Sequence, residues 1–139
     1  MIAVVDTNIY FSTFYNPQGN EAEVIRRANR GEVELLSPDS VREELEQVLK
    51  TKLQWSKEEV TSSIDALPTV WIPKSEYSSK LDHAKSIITH EKDSPILACA
   101  LQFKTGILTG NTKHFDIPQI KKEVPILDSR NLLQYLKSK

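Results

Sequence analysis

"MIAVVDTNIYFS", residues 1–12, runs an apolar segment straight into a carboxylate. Ile2, Ala3, Val4 and Val5 have the uninterrupted, partly β-branched character of a strand buried on both faces. The run stops on Asp6, with Thr7 and Asn8 behind it. Asp, Thr and Asn all favour helix starts, because their oxygens accept backbone N–H groups that lack an intrahelical partner. Taken alone, Asp6 is read equally well as a helix cap or as a carboxylate placed at a strand end for chemistry.

Beyond this segment, short apolar runs recur at 33–36, Thr69–Ile72, 106–109 and 124–127. Helical periodicity fills the gaps, at 21–29, 39–50, 57–67, 77–89, Ser94–Phe103 and 129–136. Short strands spaced by helices predict an α/β fold, a three-layer α/β/α sandwich around a mainly parallel five-stranded sheet with right-handed crossovers. With no repeat, low-complexity tract or long linker, residues 1–139 are expected to form a single domain. In such a sheet ligands sit beyond the carboxyl ends of the strands. Asp6 ends the first strand, and the polar loop "GNTKHFD" follows Ile107-Leu108-Thr109.

Composition narrows the function classes. The chain is 39% hydrophobic and 27% charged, with a formal net charge of −1, which fits a globular domain and speaks against bulk polyanion binding. A nucleic-acid partner would need a local basic patch or bound cations. Cys99 is the single cysteine, so an intramolecular disulfide and a Cys-rich zinc site are excluded and a reducing, cytoplasmic location is expected. The apolar start is too short to span a bilayer and lacks the charged flank of a signal peptide, so no membrane association is expected.

Two further acids can be placed by periodicity. In "SPDSVREELEQVLK" (37–50), Val41, Leu45, Val48 and Leu49 share one helix face. Glu43 falls nearly opposite that face, as a solvated charge does. Glu44 falls at its border, where it either snorkels beside the core or reaches inward. In "EKDSPILACALQF" (91–103), Pro95 puts a helix start close behind Asp93. Ile96, Ala100 and Phe103 are expected to be the buried stripe, with Asp93 aligned along it. A carboxylate heading a buried face is costly unless it is paired, hydrogen-bonded or bound to a cation. The loop after the fourth strand adds oxygen donors in Asn111, Thr112 and Asp116, without the spacing of a phosphate-cradling P-loop.

Asp6, Glu44, Asp93 and the 111–116 loop are therefore expected at one end of the sheet. Carboxylates sharing a cleft raise one another's pKa. A hard divalent cation resolves the conflict, and Mg²⁺ commonly binds through one or two carboxylates plus substrate phosphate. Such a site suits metal-assisted hydrolysis of a phosphodiester.

In this order, "VVDTNI", "EELEQVL", "KDSPILACAL", "LTGNTKHF" and the closing "VPILDSRNLLQYL" resemble a PIN domain over essentially the whole chain. The similarity is to the small, stand-alone prokaryotic type that forms the toxin of toxin–antitoxin pairs. The resemblance implies a Rossmann-like fold and an Mg²⁺- or Mn²⁺-dependent endoribonuclease hydrolysing RNA. It also implies a homodimer, with a cognate antitoxin protein as partner. It assigns Asp6 and Asp93 as metal-binding aspartates, Glu44 as the helix acid with Glu43 in reserve, and Asn8 as the side chain that holds the first aspartate. Asp6, Glu44, Asp93 and Asn8 would be the catalytic set, with Thr109, Asn111 and Asp116 in support. Many relatives carry Asp in the loop after the fourth strand, whereas this chain has Asn111, with Asp116 further along. Lys92, Lys113 and Lys52 are candidate contacts to the RNA backbone.

Two other readings compete. An aspartyl-phosphate phosphatase would need a proton-donating Asp two residues after Asp6, where Asn8 stands. A non-catalytic PIN-like module would bind RNA or a protein without cutting. The remaining residues point less clearly to chemistry. His83, His90 and His114 lack the spacing of a helical zinc site. Cys99 reads as a small core residue, and Trp55 and Trp71 as packing residues that could also stack on bases. Arg26, Arg27 and Arg30 read as a solvated face or a partner surface.

Overall fold

The computed structural model describes residues 1–138, so the last residue of the expected 1–139 unit lies outside the described residues. Strand β1 (Ile2–Val5) is the middle of five, flanked by β2 (Glu34–Pro38) and β3 (Thr69–Ile72) on one side and by β4 (Gly106–Leu108) and β5 (Ile126–Leu127) on the other. Every pairing is parallel, with Ala3 opposite both Leu35 and Gly106. Ala3, Val4 and Val5 have no exposed surface, as a central strand covered on both faces requires.

The helices run α1 (Thr7–Tyr15), α2 (Asn20–Asn29), α3 (Asp39–Lys52), α4 (Lys57–Asp65), α5 (Lys74–Tyr77), α6 (Leu81–Ile87), α7 (Ser94–Phe103), α8 (Pro118–Lys121) and α9 (Ser129–Lys137). Helices α1 to α4 and α9 pack together as one layer, and α5, α6 and α7 form the other. The expected α/β/α sandwich is thus present. From β1 the chain winds outward through β2 to β3, then crosses back to β4 and winds the other way to β5. The reversal lies between β1 and β4, and in open α/β sheets the crevice at such a switch point is where ligands sit.

Several local expectations are corrected. Helix α1 occupies 7–15, a stretch absent from the helical runs read from periodicity, although Asp6 read as a possible cap. Its Thr, Ile, Tyr and Phe residues are poor intrinsic helix formers, and packing against α2 and α3 stabilises it. The helix expected over 77–89 is broken into the end of α5, a 3-10 turn at Ser78–Lys80 and α6, at two serines, which are weak helix formers. Strand β2 extends to Pro38, and β5 has only two residues. Helix α7 is buried nearly all round, from Ile96 to Ala100, while Phe103 is 37% exposed. Its buried surface is therefore Ser94 and the run from Ile96 to Ala100, and Phe103 lies outside it.

A buried hydroxyl chain fixes α1 over the sheet. Ser37 donates to the Val5 carbonyl (2.7 Å), so its oxygen is left to accept from Tyr10, and Tyr10 in turn accepts from Thr69; both of these contacts are 2.9 Å. Tyr10 and Ser37 have no exposed surface, and burial pushes the Tyr10 phenol well above its ordinary pKa.

Candidate active site

The helix-cap reading of Asp6 holds, and its second carboxylate oxygen is held by side chains. Asp6 is the N-cap of α1, accepting the Thr7 N–H at Oδ1 (2.7 Å). Its Oδ2 accepts from the Thr109 hydroxyl (2.8 Å) and from Asn8 Nδ2 (3.3 Å). Thr109 stands one residue past β4, the strand beside β1, and the Asp6 N–H donates to the Leu108 carbonyl (3.0 Å). The two strand ends thus hold one carboxylate between them. Asn8 turns its oxygen the other way, accepting from the Gly110 N–H (2.8 Å). A Cβ on Gly110 would lie 3.2 Å from that oxygen, so a glycine suits the close approach. The Asn111 N–H donates to the Thr109 oxygen (3.0 Å) and fixes the start of the loop.

The carboxylate so held is only 6% exposed. Burial is the main force raising its pKa; the bonds from Thr109 and Thr7 act the other way, and the charges of Asp93 and Glu44 raise it further. Asp93 ends the 3-10 turn Glu91–Asp93 ahead of α7 and is 14% exposed. Glu44 projects from α3 and is exposed, yet it lines the same cleft. Among the described residues neither Asp6 nor Glu44 pairs with a Lys, Arg or His.

These groups face a cleft of about 550 Å³ lined by Asp6, Asn8, Glu44, Asp93 and Asn111, with Lys52, Lys92, His90 and His114 on its walls. The cleft opens at the β1/β4 switch point. As placed, no three His, Cys, Asp or Glu side chains among the described residues close around one ion, and Asp93 Oδ2 is engaged by His114 Nδ1 at 3.0 Å. The donor set therefore fits a hard cation held by one or two carboxylates, with water and phosphate completing its shell. A buried carboxylate beside two others, with no ion pair of its own to the lysines on the cleft walls, is the electrostatic counterpart of such a cation.

A family model described as PIN domain matches residues 4–136. The chain belongs to the PIN domain family. Three solved structures share the fold of this PIN domain. VapBC2 from Rickettsia felis, bound to a DNA fragment from their promoter, is similar at a TM-score of 0.63 and 21% identity, over 92% of this chain and 98% of that one. VapBC-1 from nontypeable Haemophilus influenzae is similar at 0.61 and 19%, over 94% and 99%. FitAB bound to an IR36 DNA fragment is similar at 0.51 and 18%, over 93% and 95%. No curated protein matches by sequence.

The remaining site expectations divide. Asn111 lines the cleft of the PIN domain, and Lys92 and Lys52 stand on its walls. Asp116 is placed elsewhere. Its carboxylate accepts from Lys121 Nζ (2.9 Å) and it lines a separate cavity with Lys113. The 3-10 turn Thr112–Phe115, anchored by fully buried Phe115, carries both side chains away from Asp6. Glu43 also lies outside the cleft, beside Asp39 and Lys74. Sequence reasoning did not find His114 as the partner of Asp93. The loop "GNTKHF" contains no spacing signal for it, since the contact joins residues 21 apart.

Proposed function

We propose that this PIN domain is an Mg²⁺- or Mn²⁺-dependent endoribonuclease that hydrolyses RNA phosphodiester bonds, and that it is the toxin of a toxin–antitoxin pair. The observation that carries the reading is Asp6: a buried carboxylate at the sheet's switch point, raised in pKa by burial and by the charges of Asp93 and Glu44, with no ion pair to a basic side chain among the described residues. Family membership supports nuclease chemistry, and the two-component names of the similar structures, VapBC and FitAB, support an antitoxin protein as partner. The homodimer and the cytoplasmic location belong to the same proposal. No helix among the described residues is long and apolar enough to cross a membrane.

In this mechanism Asp6 and Asp93 are the residues that would hold the cation. When bound, the ion lowers the pKa of coordinated water and offsets charge building on the scissile phosphate. Glu44, reaching into the cleft from α3, accepts the proton of the attacking water at a carboxylate oxygen. Water adds to phosphorus as the bond to the 3′ oxygen breaks, so the products carry a 5′-phosphate and a 3′-hydroxyl. Asn8 and Thr109 position Asp6 through the bonds described above. Asn111 stands where relatives carry an acid, and its amide can orient water or a phosphate oxygen without adding a further negative charge. Lys92 and Lys52 contact the RNA backbone from the walls of the cleft.

The test is cleavage of a labelled pool of single-stranded and hairpin RNAs in Mg²⁺, Mn²⁺ or excess EDTA. Expected is cutting that requires metal, leaves 5′-phosphates and is lost in Asp6→Asn and Asp93→Asn. A 2′,3′-cyclic phosphate as the initial product would overturn the mechanism. RNA binding with no cutting under any condition would favour a non-catalytic module.

A further inference from the structure

Two side chains on the cleft wall have no task in that chemistry, His90 and His114. Their rings are stacked, with centroids 3.9 Å apart and planes inclined by 22°. The two residues meet Asp93 differently, His114 through its ring and His90 through its backbone. His114 Nδ1 meets the Asp93 carboxylate (3.0 Å), while the His90 carbonyl accepts the Asp93 N–H (2.9 Å). An ionised carboxylate can only accept, so His114 donates through Nδ1 and its ring is held in one orientation. The His90 side chain, by contrast, is exposed and makes no hydrogen bond or ion pair among the described residues. An anchored inner ring with an exposed outer ring gives a flat surface at the mouth of the cleft.

We propose that His90, backed by His114, is a stacking platform for one nucleobase of the RNA strand, set at a fixed distance from the phosphate that is cut. The proposal rests on the ribonuclease reading above. It follows from three observations. The stack lies on the wall of the cleft that holds Asp6 and Glu44. The His114 ring is bonded to the Asp93 carboxylate and the His90 ring rests on it at 3.9 Å, so a base on His90 is held at a set distance from Asp93. The chain's net charge is −1, and the cleft's cationic walls come down to Lys52 and Lys92, of which Lys52 already sits over the Phe11 ring at 5.5 Å. Phosphate attraction is therefore weak here, and base stacking, which tolerates any sequence, supplies affinity of another kind.

The test combines a protein change with a substrate change. Steady-state cleavage of a single-stranded RNA in Mn²⁺ is measured for wild type, His90→Ala, His90→Gln and His90→Trp, with melting temperatures compared. The same RNA is also made with one abasic nucleotide moved along the strand. Losing the ring in His90→Ala or His90→Gln should raise KM on the order of tenfold with kcat little changed, and His90→Trp should restore it. One abasic position, at a constant distance from the cut, should impose the same penalty on wild type and none on His90→Ala. If wild type cuts but the His90 variants keep its KM, or the abasic penalty persists undiminished in His90→Ala, the platform is refuted and the ribonuclease stands. If wild type cuts no RNA, the ribonuclease reading and the platform fall together.

Discussion

Two buried polar clusters lie within a few residues of each other around α1, and they obey opposite rules. In the Tyr10–Ser37–Thr69 chain each hydroxyl finds a partner, the chain ends on the Val5 carbonyl, and no charge is involved. A satisfied buried network of this kind stabilises one packing arrangement. Around Asp6 the hydrogen bonds are nearly as complete, yet the charge is not offset: burial, Asp93 and Glu44 all push its pKa up. The first cluster is complete as the chain folds. On the proposed reading the second is completed by a cation, and the contrast would then separate polar groups kept for the fold from polar groups kept for chemistry.

The comparison can be broken in order of expected effect. Asp6→Asn or Asp93→Asn should lower metal-dependent RNA cleavage on the order of a hundredfold or more. If either variant keeps most of its activity, the carboxylate cluster is not the centre of the reaction. Tyr10→Phe should do the reverse. It leaves Ser37 and Thr69 without their shared partner, at a cost of about 2 kcal/mol, a fall in Tm of roughly 5–10 °C for a chain of this length. Well below that Tm its cleavage rate should match wild type. Gly110→Ala tests the link between loop and site. The new methyl presses on the Asn8 oxygen, so kcat should fall roughly fivefold while stability changes by less than about 1 kcal/mol.

A smaller effect sharpens the electrostatic side. The folded-state pKa of Asp6 lies above its ordinary value of 3.8. Its contribution to metal-free stability is therefore greatest below that value and is lost as pH rises through the raised one. In EDTA, Asp6→Asn should melt higher than wild type near neutrality, and the gap should close as pH falls toward 4. A gap independent of pH would assign the difference to packing. Smallest of all, Asp116→Ala should leave cleavage unchanged, because that side chain pairs with Lys121 outside the cleft.

Much of this was legible in the sequence. The β1 run is apolar on both faces, the strands are spaced by helices, and Asp6, Glu44 and Asp93 each sit at a boundary that periodicity can locate. Of helix α1 only the start was legible, through the cap reading of Asp6; its β-branched and aromatic residues carry little helical preference, and its stability comes from α2 and α3. Asp116 was read as a site residue because it lies in the correct loop. Buried Phe115 sets the direction of that loop, a tertiary fact that local sequence does not encode. His114 was passed over for a related reason. Its significance comes from Asp93, which folding brings beside it.

Thermal unfolding of wild type and Asp6→Asn across a Mn²⁺ titration tests the central claim most directly. If the Asp6 cluster is completed by a cation, wild type starts below Asp6→Asn in EDTA and rises with Mn²⁺, whereas the variant stays nearly flat, so the two curves converge or cross. Equal rises in both proteins, or no rise in wild type, would contradict a cation at Asp6.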